Sequence, residues 1–171
     1  NRHGKQWLQG ETPSIGIGQG YNTFTILQMA KATSIIANRG VMVKPKLFKG
    51  SRDFDSNEFT YSEPVTQGKL NIRKEWFDFV IDAMVEVNKS GTASRVFGNS
   101  PFPVAGKTGT AQVFTIKQDE EYDSEKVPER LKDHSLYIGF APVDKPKIAV
   151  AVVVENGGFG VTTATPIAKL V

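Results

Sequence analysis

Between Thr25 and Asn38, apolar residues crowd almost every side of a helical wheel: Ile26, Leu27, Met29, Ala30, Ala32, Ile35 and Ile36. Gln28, Lys31 and Asn38 leave only a narrow polar stripe, so the pattern predicts a central helix buried on most sides. Thr25 and Gln28 can each satisfy the other's backbone N–H as a capping box, and Gly40 stands where the helix should stop. A second helical period runs from about Arg73 to Asn88, with Trp76, Val80, Met84 and Val87 on one face and Asp78, Asp82 and Glu86 on another. After Pro101 and Pro103 the chain reads as a strand through Phe114, and two more strands follow at His134 to Ala141 and Lys147 to Glu155. In the last of these, Ile148, Val150, Val152 and Val154 mark one face, while Ala149 and Ala151 leave the other open to a closely packed helix. Thr165-Pro166 predicts a final helix with proline at its first position. Ser14 to Gly20 alternates glycine with apolar residues and ends in a turn, and Lys49 to Glu63 reads as a polar connection. Thr115 to Asp133, densely charged, reads as a long hairpin loop. The fold class that emerges is α/β of the α+β type: an antiparallel sheet of at least three strands covered by helices.

Composition narrows the chemistry. A chain of 171 residues, 39% hydrophobic and 23% charged, is ordinary for a soluble domain or for part of a larger one. The net charge of +3 comes from bases interleaved with 18 acids, which argues against nucleic acid as a partner. There is no cysteine, which excludes a disulfide framework, a thiolate-held metal and a thiol nucleophile. No run approaches the ~18 apolar residues of a membrane span. The opening Asn1-Arg2-His3, without methionine, reads as an excised segment.

Several tempting features have plainer readings. Asp78, Asp82 and Glu86 read as a solvated helix face rather than a metal or acid–base site. In Gly16-Ile17-Gly18-Gln19-Gly20 the third glycine comes one residue too early for a dinucleotide loop, so a tight turn explains the glycines. His3 and His134 are the only histidines, and neither belongs to a zinc motif or has a G-x-S-x-G elbow for company. His134 is expected to be structural, at the start of a strand. Ser51-Arg52-Asp53 reads as a chance sequence in a charged loop.

The stretch that survives is Lys107-Thr108-Gly109-Thr110 within Ala105 to Val113. Strand parity puts Lys107 and Gly109 on one face and Thr108 and Thr110 on the other. A cation beside two hydroxyls and a glycine-flattened backbone suits an anionic substrate end, and an edge strand can pair with an extended peptide. Lys89-Ser90-Gly91-Thr92 matches the looser K-[ST]-G-T pattern, but it follows an amphipathic helix, where Gly91 reads as a helix stop.

With these residues, the chain resembles the C-terminal half of the transpeptidase domain of class B penicillin-binding proteins. Four blocks carry the resemblance in order: Ser14 to Gly20 with Thr25 to Ala30; Gly91-Thr92-Ala93; Gly106 to Gln112; and His134 to Pro142 with Val154 to Gly158. K-T-G is one of three motif pieces shared with β-lactamases, and the other two, S-x-x-K and S-D-N, do not occur here. Within the family the chain looks most like the elongation-type branch of Gram-negative bacteria, with the septal branch second.

The resemblance implies a serine D,D-transpeptidase that cross-links peptidoglycan stem peptides and is acylated by β-lactams. It implies no cofactor and no metal, cell-wall elongation proteins as partners, and a place on the periplasmic face of the inner membrane. Lys107 and Thr110 would be catalytic, Thr110 through an oxyanion-hole N–H. Lys107, Thr108, Gly109 and Thr110 would line the substrate site. The nucleophile-bearing half would lie elsewhere, leaving 1–171 as part of one domain and inactive alone. A non-catalytic β-lactam sensor on the same fold is the alternative, and the 115–133 loop could close over substrate or meet a partner.

Overall fold

The computed structural model describes residues 7–113 and 127–171, so most of the loop expected at 115–133 lies outside the described residues. In order come α1 (Glu11–Gly16), α2 (Ile26–Ala37), β1 (Val41–Val43), β2 (Gly50–Arg52), β3 (Phe59–Tyr61), β4 (Thr66–Lys69) and α3 (Lys74–Lys89). Then follow α4 (Ser94–Phe97), β5 (Ala105–Ala111), a 3-10 turn (Glu129–Leu131), β6 (His134–Ala141), β7 (Ile148–Val154) and α5 (Ala164–Lys169).

The main sheet has the order β5-β6-β7 and is antiparallel throughout. Its two faces bury different residues because side chains alternate along each strand. Ala105, Phe140 and Ala149 pack against Ala37, Ile81 and Met84 from α2 and α3. On the other side Tyr137, Val150, Val152 and Val154 pack against Phe97 of α4 and Ala164 and Ala168 of α5. The division of β7 into a valine face and an alanine face is therefore the one the sequence predicts.

Helix α2 starts with the expected capping box: the Gln28 N–H donates to the Thr25 hydroxyl and the Thr25 N–H to the Gln28 amide oxygen. Such a cap is worth about 1 kcal/mol. Gly40, at φ +96°, ends the helix by donating to the Ile35 carbonyl at 2.8 Å.

The expectation of burial on most sides is corrected, since only Thr33 and Ala37 are buried and Leu27 is 61% exposed. One side of α2 meets the sheet, and nothing among the described residues covers the other. The stripe of α3 is also corrected. Phe77, Ile81, Met84 and Asn88 face inward, whereas Trp76 is 54% exposed with the Arg73 guanidinium over its ring. Gly40 sets this rotation, because the Phe77 ring fills the space where a Cβ on Gly40 would stand.

Three smaller differences have local causes. The 49–63 connection is a β2–β3 hairpin, and its turn is held by Asp53, whose carboxylate accepts from the Ser56 and Asp55 N–H groups. Ser14 to Gly16 form the end of α1, and the expected turn follows them through Gly18 and Gly20. Pro166 is the third residue of α5, still within the first turn, where a missing N–H removes no intrahelical bond.

Candidate active site

The site is built on β5, which among the described residues pairs with β6 along one side only. Register places Lys107 opposite Ile138 and Gly109 opposite Leu136, on the face toward α2, and Thr108 opposite Tyr137 and Thr110 opposite Ser135, on the face toward α5. The parity read from sequence holds.

The outer edge is marked by two side chains that donate to its carbonyls, one from the strand itself and one from outside it. Lys107 Nζ donates to the Thr108 carbonyl at 2.7 Å, and Gln19 Nε2 donates to the Thr110 carbonyl at 2.9 Å. In an antiparallel ladder a residue turns its N–H and C=O to the same side. Thr108 and Thr110 therefore both direct their backbone away from β6, and the Thr110 N–H points into the same space as its carbonyl. The Thr92 hydroxyl stands 3.0 Å from that of Thr108.

Behind this edge the strand is braced by buried polar groups. The phenol of Tyr137 is bracketed by the Asn88 amide, which receives its proton at 3.1 Å and donates back at 2.9 Å, while also donating to the Val104 carbonyl at 2.8 Å. Burial pushes the Tyr137 hydroxyl up to about 12, opposed in part by the Asn88 hydrogen bond. Gly106 has to lack a side chain, since a Cβ there would collide with the Tyr137 hydroxyl. Further along, Ser135 donates to the Phe159 carbonyl at 3.0 Å and accepts from the Ala164 N–H at 2.9 Å. Thr165 donates to the Gly160 carbonyl at 2.8 Å, which holds Gly160 against the strand so closely that a Cβ would stand 2.9 Å from the Gly109 nitrogen.

The remaining candidates lie elsewhere. Asp78 accepts from Arg39 at 2.9 Å and from Lys74, and its carboxyl is held below the usual range by the Lys74 hydrogen bond first and the Arg39 one second. Glu86 accepts from the Ser90 hydroxyl at 2.9 Å. His134 accepts the Asn156 N–H on Nδ1 at 2.9 Å, a structural contact at the start of β6. Ser51-Arg52-Asp53 forms one arm of the exposed hairpin.

Gln19 and Thr92 are the site neighbours that sequence reasoning missed. The I-G-Q-G turn carried a signal for the first, in two glycines flanking one polar side chain. The second belongs to the set-aside K-[ST]-G-T copy. On the Lys107 face an open groove runs along the sheet, lined by Phe24, Ile26, Met29, Leu136 and Val153. The edge thus offers a cation, hydroxyls and backbone donors, and the chain has no S-x-x-K nucleophile and base.

Comparison with known proteins points the same way. The family model of the penicillin binding protein transpeptidase domain matches residues 1–171. Peptidoglycan D,D-transpeptidase MrdA of Escherichia coli (strain K12) is 39% identical over 166 residues, 96% of this chain and 26% of that protein. The chain thus spans about a quarter of that relative's length. Pseudomonas aeruginosa PBP2, solved in complex with WCK 5153, superposes with a TM-score of 0.75 at 34% identity, covering 98% of this chain and 34% of that one. Helicobacter pylori PBP2 in complex with MreC gives 0.74 at 27%, over 99% and 28%. The ceftriaxone acyl-enzyme complex of penicillin-binding protein A from M. tuberculosis gives 0.70 at 28%, over 91% and 33%.

Proposed function

The chain belongs to the penicillin-binding protein transpeptidase family, and from that premise we propose that it is the substrate-holding part of a peptidoglycan D,D-transpeptidase. The observation that carries this reading is the outer edge of β5, where the backbone of Thr108 and Thr110 points outward and the Lys107 ammonium reaches the edge from one face while the two threonine hydroxyls lie on the other.

In this reading a serine in a part of the protein outside 1–171 adds to the carbonyl carbon of a stem peptide's D-Ala-D-Ala bond. The C–N bond breaks, the serine proton leaves with the terminal D-Ala amine, and an acyl-serine ester remains. The amine of a neighbouring stem peptide then attacks the ester, forming the cross-link and returning a proton to the serine. A β-lactam follows the first half of this course and stops at the ester. The M. tuberculosis acyl-enzyme supports that chemistry for a relative.

Lys107 supplies positive potential beside the reacting centre. The hydroxyls of Thr108 and Thr110 bind the substrate carboxylate, and the Thr110 N–H stabilises the developing oxyanion. Losing one such donor typically costs ~10²–10³ in rate. Gly109 keeps the strand surface flat enough for the donor peptide to lie on it. The segment alone is inactive for want of its nucleophile. The full protein works at the periplasmic face of the bacterial inner membrane with cell-wall elongation proteins, a partnership supported by the H. pylori complex with MreC.

The test is covalent labelling of the full-length protein by a fluorescent penicillin, with Lys107→Ala slowing it by about 100-fold. Normal labelling of that variant would remove Lys107 from the site. Direct assay of stem-peptide cross-linking separates the enzyme from a non-catalytic β-lactam sensor, which would label without forming product.

A further inference from the structure

The contact between Gln19 and Thr110 carries an inference that rests on the reading above and goes further. Gln19 is held by its own backbone. Gly18 at φ +83° and Gly20 at φ +67° flank it, conformations that side chains with a Cβ rarely adopt. The Gln19 N–H donates to the Ser14 carbonyl at 2.9 Å, and the Gln19 carbonyl accepts from the Asn22 amide at 3.2 Å. The same Asn22 nitrogen donates to the Ile15 carbonyl at 2.9 Å, so the turn is stapled shut. From this base the side chain crosses to a strand 91 residues away in sequence and donates to the Thr110 carbonyl. A carbonyl only accepts, so the amide nitrogen has to be the end that faces it.

An extended peptide laid antiparallel on this edge would exchange two hydrogen bonds with Thr110, through the N–H and C=O of a single residue. If the reacting carbonyl sits on the Thr110 N–H, the N–H of that same donor residue falls on the Thr110 carbonyl. Gln19 already occupies that acceptor with an amide N–H of its own. It is a stand-in for the donor's backbone, supplied by the protein.

We infer that Gln19 is a specificity-determining residue of the acyl-donor site: its amide vacates the Thr110 carbonyl when a donor bearing an N–H beside the reacting carbonyl binds. Recognition of such a donor is then an exchange of one amide–carbonyl hydrogen bond for another. A ligand without that N–H has no donor at the ladder position facing the Thr110 carbonyl and leaves Gln19 in place.

β-Lactams provide both kinds of ligand. Benzylpenicillin carries an acylamino N–H next to its lactam carbonyl, and imipenem carries a hydroxyethyl group there instead. The experiment measures second-order acylation rate constants of the full-length protein for both, in the wild type and in Gln19→Ala and Gln19→Met. Removing the competing amide should raise the ratio of the benzylpenicillin constant to the imipenem constant by about 3- to 10-fold, the worth of one net hydrogen bond. The gain should lie in the binding constant of benzylpenicillin rather than in its limiting acylation rate. An unchanged ratio in both variants, or a fall in it, overturns the inference. Gln19→Met, close in length, and a thermal melt guard against a collapsed turn, which would depress both constants together and leave the ratio where it was. If the wild type is acylated by neither compound, the proposed function fails and this role fails with it. If the wild type is acylated and only the ratio fails to move, the role of Gln19 alone is lost.

Discussion

Lys89-Ser90-Gly91-Thr92 and Lys107-Thr108-Gly109-Thr110 are two runs of nearly the same side chains, and they fold into opposite things. The first closes α3. The N–H groups of Ser90 and Gly91 both donate to the Glu86 carbonyl at 2.9 Å, the Ser90 hydroxyl donates to the Glu86 carboxylate, and Lys89 lies 3.6 Å from that carboxylate. Apart from the Thr92 hydroxyl, its polar groups are taken up by its own helix end. The second run lies in a strand whose outer edge has no strand beside it among the described residues, so the backbone of Thr108 and Thr110 points outward and is met there only by side chains. What separates them is their neighbours: an amphipathic helix before Lys89, and Val104, Ala105 and Gly106 before Lys107. The two runs are also joined. Asn88, one residue before the first, holds Tyr137, which pairs across the sheet with Thr108, and Thr92 touches Thr108 directly.

The sharpest way to break this contrast is to remove each lysine in turn from the full-length protein. Lys107→Ala should slow penicillin labelling by about 100-fold, while Lys89→Ala should leave it within about twofold, as befits a weak surface pair. Equal losses would mean that the helix-end copy belongs to the site as well.

The glycines should dissociate in a complementary way. A Cβ on Gly91 would stand 2.8 Å from the Val87 Cα, which is backbone and cannot move aside, so Gly91→Ala should lower stability by about 1–3 kcal/mol. A Cβ on Gly109 would stand 3.3 Å from the Leu136 Cβ, so Gly109→Ala should cost less than about 1 kcal/mol yet slow labelling. Thermal melts and labelling rates measured on both variants decide the matter, and a reversed order would contradict the assigned roles.

Thr92→Val keeps the shape and removes the hydroxyl that meets Thr108. Labelling should slow by about 3- to 10-fold with little change in melting temperature. No change in labelling would leave the contact without a role.

The smallest effect tests the link between the runs. The Tyr137 hydroxyl is raised from 10.0 to about 12 in the folded chain, chiefly by burial. A raised value in the folded state means that its stabilising contribution is complete below pH 10 and lost as pH climbs toward 12. Near pH 11 the loss should be of order 1 kcal/mol. In Tyr137→Phe that component of the slope should vanish from denaturation curves recorded between pH 9.5 and 11.5, on the order of the window these values define.

Much of this architecture was legible because local rules and tertiary demands agreed. The Thr25–Gln28 cap, the β6 strand, the valine and alanine faces of β7 and the parity of Lys107 to Thr110 all follow from short-range chemistry and a period of two. The stripe of α3 was not legible, because Trp76 and Phe77 are equally apolar and only the gap at Gly40, 37 residues earlier, selects Phe77. The β2–β3 hairpin hid behind charged residues that serve its turn. At the site, the blocks that hold Gln19 and Thr92 could be read from the sequence, but not their contacts with the strand, since no periodicity relates positions 19, 92 and 110. The buried polar brace of Asn88, Ser135 and Thr165 escaped for the same reason.

A strand with one side unpaired can add a peptide there, and it is equally ready to pair with another copy of itself. Unprotected sheet edges are where folded chains stick together into aggregates. Here the exposed side of β5 carries the Lys107 charge, which two approaching molecules would have to bury, and Gln19 already occupies one of its outward carbonyls. Two of the seven residues of the strand, Gly106 and Gly109, are glycines, which weaken strand pairing. The residues proposed to hold the substrate therefore also protect this edge against self-association, and substitutions that neutralise Lys107 should be watched for clumping at high concentration as well as for lost labelling.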